Sequence, residues 1–115
     1  IDHGVRAVED PELVNRLARD HIFLTVCPLS NLALKVFPDM EHHSIKQLMD
    51  AGVPVSINSD DPPFFCGDLN ENYEAVVRTF RLAKPELHAL AKSAFTNSYA
   101  PQTMDDYFSE NDFIL

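Results

Sequence analysis

The sequence predicts an α/β fold built on parallel strands. Residues 22–26 form a continuous β-branched and aromatic run, the pattern of a strand covered on both faces. A second strand is predicted at 53–57, and helical apolar patterns lie before, between and after the two. Equivalent points of the strands are about 31 residues apart, which is the rhythm of a βαβ unit.

The first unit runs from a strand end into a helix. Residues 1–4, IDHG, have the character of a strand end. Asp10 then offers a side-chain acceptor at the helix N-cap, and Pro11 takes the first helical position, where its missing N–H costs nothing. An apolar stripe continues this helix to about residue 20, just before the first strand.

The second unit repeats this plan. Residues 27–40 are predicted to form a loop, and a helix near 41–51 ends at Gly52. The strand at 53–57 follows, with Pro54 tolerated near its start. The remaining pattern is helical, and we expect further helices to begin at Leu69, Pro85 and Pro101.

The predicted sheet is incomplete. The chain supplies roughly two and a half strands and enough helices to cover one side, whereas a complete (β/α)₈ barrel needs about 250 residues. We therefore expect residues 1–115 to be one part of a single domain, without an internal boundary, that other sequence completes. That the chain starts with Ile1 rather than Met agrees with this expectation.

The charge balance narrows the class of partner. The net charge of −9 repels phosphate backbones and anionic lipid, so we expect no nucleic-acid and no membrane partner. A neutral small molecule or a cation is a more suitable ligand for a negatively charged protein. The sequence has neither an apolar run long enough to cross a bilayer nor a signal-peptide pattern at its start, and the expected location is the cytoplasm.

Polar clusters follow each predicted strand and are expected to meet at one edge of the sheet. They are His3-Gly4, the stretch 27–31 and the stretch 58–62. In the last, neighbouring carboxylates of Asp60 and Asp61 point in opposite directions if the chain is extended, so that one can bind a divalent metal and the other a substrate donor. A solvated Asp-Asp-Pro turn is the alternative.

Other reactive side chains have ordinary structural interpretations. His3 is either a site residue or a packed or surface histidine, and Ser30 and Asn31 either shape a pocket or close a turn. Cys27 lacks an evident base and is interpreted as a buried wall residue, and both cysteines are expected to be reduced. Four histidines away from the strand ends are interpreted as structural or solvent-facing: His21, His42, His43 and His88.

Four motifs in order, DHG at 2–4, CPLSN at 27–31, LKVF at 34–37 and SINSDDPPFF at 56–65, resemble the carboxyl-terminal half of the adenosine and adenine deaminase family of the amidohydrolase superfamily. The second and third are most similar to the adenine deaminase branch. The resemblance implies that the chain forms about strands six to eight, with the trailing helices, of a zinc-bearing (β/α)₈ barrel.

The resemblance also implies roles for three residues. His3 is expected to orient the metal-bound water and help deprotonate it, Asp60 to be a ligand of one Zn²⁺ ion, and Asp61 to hydrogen-bond a purine ring nitrogen. Iron in place of zinc stays open. The implied reaction is the hydrolytic deamination of adenine, and Phe64 and Phe65 are expected to supply apolar wall for the purine.

The family also needs a His-x-His pair and a His-x-Gly-Glu segment, and neither motif occurs in these 115 residues. A catalytic zinc normally takes three protein ligands, so we expect the remainder of the barrel to be an essential partner and the chain alone to be inactive and poorly folded. Adenosine or an N6-substituted adenine as substrate, and a non-catalytic acidic α/β interaction module, remain alternatives.

Overall fold

The computed structural model describes residues 1–65 and 67–98. The elements within these ranges, in chain order, are a 3₁₀ helix (Val5–Glu9), α1 (Pro11–Arg19), β1 (Leu24–Val26), α2 (Pro28–Ala33), α3 (Ile45–Asp50), β2 (Val55–Ile57), α4 (Pro62–Phe65), α5 (Leu69–Phe80) and α6 (Lys84–Thr96). The predicted helix at Pro101 and Cys66 lie outside the described residues.

The sheet is parallel, as predicted. Strands β1 and β2 pair in parallel, with Thr25 opposite Ser56. Asp2 forms an isolated parallel bridge to Thr25 from the other side, and the backbone N–H of His3 donates to the carbonyl of Thr25 at 2.9 Å. Three chain segments therefore run side by side in one direction, and the residues that follow them emerge at one edge.

The core is built around β2. All three residues of β2 are buried, α3 and α6 pack against β2, and α1 packs against the 3₁₀ helix. The fully enclosed apolar side chains are Leu24, Val26, Ile45, Leu48 and Val76. Each strand has an apolar residue on either side of a polar one, Leu-Thr-Val in β1 and Val-Ser-Ile in β2, and only β2 is buried along its whole length.

Capping side chains set the helix starts that the sequence signalled. The carboxylate of Asp10 accepts the backbone N–H groups of Glu12 and Leu13, which confirms the predicted start of α1. Asp68 and Glu71 form a reciprocal capping box at the start of α5. Each cap satisfies backbone N–H groups that have no partner within the helix, so a capping residue in the sequence marks where a helix begins.

Several predicted boundaries were wrong. The strands are shorter than 22–26 and 53–57, and the expected loop at 27–40 contains α2, since Pro28 occupies the first helical position. The helix expected near 41–51 begins only at Ile45, because the ring of His43 accepts the backbone N–H of that residue and holds residues 43–45 in a turn.

Candidate functional site

His3 and Asp60 meet at the carboxyl edge of the sheet, as the sequence predicted. His3 Nε2 lies 3.8 Å from Asp60 Oδ2, and both side chains are partly exposed. Each residue also has a left-handed backbone, with φ of 57° at His3 and 61° at Asp60. Non-glycine residues seldom adopt this conformation, and such residues concentrate where a structure must aim a reactive side chain.

The backbone after His3 depends on glycine. Gly4 has φ of 67°, and a Cβ built there would lie 2.8 Å from Leu24 Cδ2. A glycine has no Cβ and lets a neighbouring group approach its backbone closely. The structure shows a close approach to the buried side chain of β1, which allows the chain to turn away directly after His3.

A hydroxyl group orients the Asp60 carboxylate. Ser30, fully buried in α2, donates its Oγ–H to Asp60 Oδ2 at 2.7 Å. The two residues stand after adjacent strands, so this contact also ties α2 to the loop after β2. Of the two interpretations left open for Ser30, the structure favours a pocket-shaping role, because its partner is a residue of the site rather than of its own turn.

Asp61 lies beside the site with a different local role. Its side chain is exposed, and its Oδ1 accepts the backbone N–H of Phe64 at 3.3 Å, which caps the short helix α4. Asp60 has a left-handed backbone, so the extended chain on which the prediction of opposed carboxylates depended is not present. Phe64 is 75% exposed within the described residues, and its expected role as apolar wall for a purine stays a prediction.

Cys27 lies close to His3 and Asp60, as its position in the stretch 27–31 predicts. Ligand-type atoms of His3, Cys27 and Asp60 all lie within 4.8 Å of one another. Burial and the nearby charge of Asp60 raise the pKa of the Cys27 thiol to about 11, and the Sγ–H points at the carbonyl of Thr25 at 3.9 Å. A thiol that keeps its proton is a weak nucleophile, which agrees with its interpretation as a buried wall residue.

Sequence reasoning missed the contribution of His43. It was interpreted as structural or solvent-facing, and its ring is indeed buried, with 3% of the residue exposed. Its Nε2, however, lies 3.2 Å from Asn31 Oδ1, and Asn31 Nδ2 lies 3.2 Å from His3 Nδ1. Burial lowers the pKa of His43 to about 4. The signal that pointed to this link was Asn31 within CPLSN, whose partners the sequence did not reveal.

The donor set fits part of a zinc site. A carboxylate held by a hydroxyl group is a common zinc ligand arrangement, and imidazole nitrogen suits the same ion. Asp60 provides such a carboxylate, the His3 ring lies beside it as a neighbour, and Cys27 Sγ lies within 4.8 Å of their ligand-type atoms. Three protein ligands are the usual minimum for a catalytic zinc, so this edge matches one portion of such a site.

The described residues, 1–65 and 67–98, include no helix with the length and apolar composition needed to span a membrane.

Comparisons with known proteins give one consistent result. The family model described as adenosine deaminase matches residues 1–110. An adenine deaminase of Cupriavidus necator is 50% identical over 101 residues, which are 88% of this chain and 29% of that protein. The chain thus spans less than a third of the length of this curated relative.

Two solved structures superpose closely on the chain. The adenine deaminase of Arthrobacter aurescens has a TM-score of 0.85 and 37% identity, covering 89% of this chain and 31% of its own. The N6-methyl-AMP deaminase of Arabidopsis thaliana has a TM-score of 0.73 and 28% identity, covering 81% of this chain and 28% of its own. These likenesses agree with the α/β class and parallel sheet seen here.

Proposed function

The chain belongs to the adenosine deaminase family, and on that basis we propose that it supplies the carboxyl-terminal part of a zinc-dependent deaminase of 6-aminopurines, with adenine as the preferred substrate. The observation that carries the proposal is the meeting of His3 and Asp60, 3.8 Å apart, at the carboxyl edge of parallel strands. Reactive groups of α/β enzymes gather at this edge. The relatives named adenine deaminase support the choice of substrate.

Asp60 is the proposed metal ligand of this chain. Ser30 holds one oxygen of its carboxylate, which fixes the orientation of the group before any ion binds. Zinc, when bound, supplies a Lewis acid that makes water a usable nucleophile near neutral pH. The proposed role of His3 is to hold the attacking oxygen beside Asp60 while water adds to purine C6 and ammonia leaves.

Asp61 is the proposed substrate-binding residue. Its exposed carboxylate stands next to Asp60 and can accept a hydrogen bond from a protonated purine ring nitrogen. Its Oδ1 already caps α4, so the backbone of that short helix helps to position the carboxylate. Substrate recognition and metal binding are thereby assigned to adjacent residues.

The remainder of the barrel is the proposed partner of this chain. An open apolar groove of about 650 Å³ runs along the His3 side of β1. Its lining includes large apolar side chains that are exposed in the described residues: Ile1, Leu13, Leu34 and Val36. We propose that preceding strands and helices of the same protein cover this groove and bring the missing zinc ligands, because the matched relatives are more than three times longer than the aligned segment.

Adenosine and N6-substituted adenines are the second candidate substrates. The likeness to the Arabidopsis N6-methyl-AMP deaminase favours keeping them. The loops that would accommodate a ribose or an N6 substituent lie partly outside this chain. A non-catalytic acidic module explains the net charge but offers no reason for polar side chains to converge at one edge of the sheet.

The test is formation of the 6-oxopurine product by the full-length protein, by which we mean the gene product of which this chain is proposed to be a part. This product is common to all candidate substrates, whereas the leaving amine is ammonia for adenine and adenosine and methylamine for an N6-methyl substrate. Initial rates of zinc-loaded protein are measured over a range of concentrations of adenine, adenosine and N6-methyladenosine monophosphate. The proposal expects the highest kcat/KM for adenine. A strong preference for either other compound rejects the substrate, and a protein that retains no zinc and keeps its melting temperature in chelator favours the interaction module.

A further inference from the structure

A chain of hydrogen bonds connects the backbone at the start of α3 to the edge of the sheet where His3 and Asp60 lie. The backbone N–H of Ile45 donates to His43 Nδ1 at 3.1 Å. His43 Nε2 contacts Asn31 Oδ1 at 3.2 Å, and Asn31 Nδ2 contacts His3 Nδ1 at 3.2 Å. This chain of hydrogen bonds ends where His3 Nε2 faces Asp60. We call these three side chains, His43, Asn31 and His3, the relay.

The first link fixes the direction of this chain of hydrogen bonds. A backbone N–H can only donate, so His43 Nδ1 has to accept and cannot carry a proton. The ring is buried against Phe37, with centroids 4.6 Å apart, and burial lowers the pKa of His43 to about 4. At neutral pH the ring is therefore uncharged, and its single proton lies on Nε2, facing Asn31.

The second link fixes the Asn31 amide. His43 Nε2–H needs an acceptor, and Asn31 Oδ1 provides it. If the amide were turned by 180°, its NH₂ group would face His43 Nε2, and both ring nitrogens of His43 would have to accept. A neutral imidazole has only one acceptor nitrogen, so that arrangement is incompatible with the Ile45 contact. The NH₂ group consequently faces His3.

From this geometry we infer that Asn31 and His43 are positioning residues that hold the His3 ring with Nδ1 as the acceptor and the proton on Nε2. His3 Nδ1 accepts from Asn31, so the nitrogen facing Asp60 presents an N–H and not a lone pair. The inference rests on the proposed function for its catalytic meaning. It narrows the role of His3 to a donor that holds an oxygen atom, and it departs from the expectation that His3 removes a proton.

The relay can be tested by NMR on the zinc-loaded full-length protein with ¹⁵N-labelled histidine. Long-range ¹H–¹⁵N correlations at neutral pH distinguish protonated from unprotonated ring nitrogens, and the spectra of His3→Gln and His43→Gln assign the two rings. We expect protonated Nε2 and unprotonated Nδ1 in both rings. A proton on Nδ1 of His3, or an even mixture of tautomers, would overturn the inference.

The most decisive variant reverses the direction of the hydrogen bond between residue 31 and His3. In Asn31→Asp, a carboxylate of nearly the same shape can only accept, so we expect His3 Nδ1 to become protonated. Asn15→Asp, on the exposed face of α1, makes the same change of charge away from the relay and is expected to leave the His3 pattern unchanged. An unprotonated His3 Nδ1 in a folded Asn31→Asp protein would contradict the relay.

A second pair of variants covers the case in which Asn31→Asp does not fold. His43→Leu removes the donor that orients the Asn31 amide, so the amide can turn and His3 is expected to show both tautomers. His43→Gln keeps an amide donor in its place and is expected to restore the single tautomer. A single Nε2–H tautomer in His43→Leu would show that the relay does not set it.

The spectra are recorded without substrate, which separates the two proposals. A protein with the expected tautomer and no ammonia release keeps the relay and rejects the deaminase function. A deaminase with Nδ1–H on His3 keeps the function and rejects the relay.

Discussion

Acidification should destabilise the folded protein through His43. The pKa of this ring falls from its ordinary value of 6.5 to about 4 because burial disfavours the charged form. Protonation would also place a proton on Nδ1 against the backbone N–H of Ile45, so that two donors face each other. The native state therefore binds fewer protons than the unfolded state between these two pKa values.

The sign and size follow from proton linkage. Where the unfolded state binds more protons, the free energy of unfolding falls as the pH falls. The contribution of His43 is complete above pH 6.5 and is lost towards pH 4, and about 1.4 kcal/mol is lost per pH unit within this window. Between pH 7 and pH 5 the expected loss is about 2 kcal/mol.

The assay is denaturant unfolding of the full-length protein at pH 7 and pH 5, with His43→Gln as the variant. His88→Gln, exposed on α6, is the matched control. The wild type and the control should lose about 2 kcal/mol more than His43→Gln between the two pH values. An equal loss in all three proteins would refute the reasoning, because it would mean that His43 is not held neutral.

Three further predictions concern residues that support the site or the helices around it. Gly4→Ala should lower the free energy of unfolding by more than Gly52→Ala. Both glycines have positive φ, so about 1 kcal/mol of backbone strain is expected in each variant, but only a Cβ at position 4 meets a neighbouring side chain. Equal losses in denaturant titrations would contradict the close approach at Gly4. In the metal-free protein, the rate at which Cys27 is alkylated, followed by mass spectrometry of its peptide, should rise about tenfold per pH unit from pH 8 to 10. The reason is that the thiol pKa is about 11, so the reactive thiolate fraction still increases with pH over this range. A rate that levels off near pH 8 would argue against that pKa. Asp68→Ala should cost about 1 kcal/mol, measured in the same titrations, because it removes the cap of α5, whereas Asp68→Asn, which keeps an acceptor, should cost less; equal costs would show that the cap does not stabilise the helix.

Local chemistry explains what the sequence made predictable. Asp10 and Pro11 marked the start of α1, and polar residues after apolar runs indicated the edge where His3 and Asp60 meet. Helix caps and strand patterns depend on residues close together in the chain, so a single sequence contains the information.

Contacts between distant residues explain what was missed. His43 reaches the site only through Asn31, twelve positions earlier, and nothing in the pair His42-His43 distinguishes the buried ring from the exposed one. The left-handed backbone of Asp60 was equally hidden, because aspartate tolerates this conformation without requiring it. Such features depend on how the segments pack, and local patterns do not record that packing.

The most direct test of the central claim compares ammonia release from adenine by the zinc-loaded full-length protein and by Asp60→Asn. Asparagine keeps an acceptor for Ser30 but removes the charge proposed to hold the metal. The account predicts a fall in kcat/KM of about 100-fold or more, since metal catalysis supplies several kcal/mol. Asp20→Asn, an exposed residue of the same charge, should retain wild-type activity. Full activity in Asp60→Asn would contradict the account.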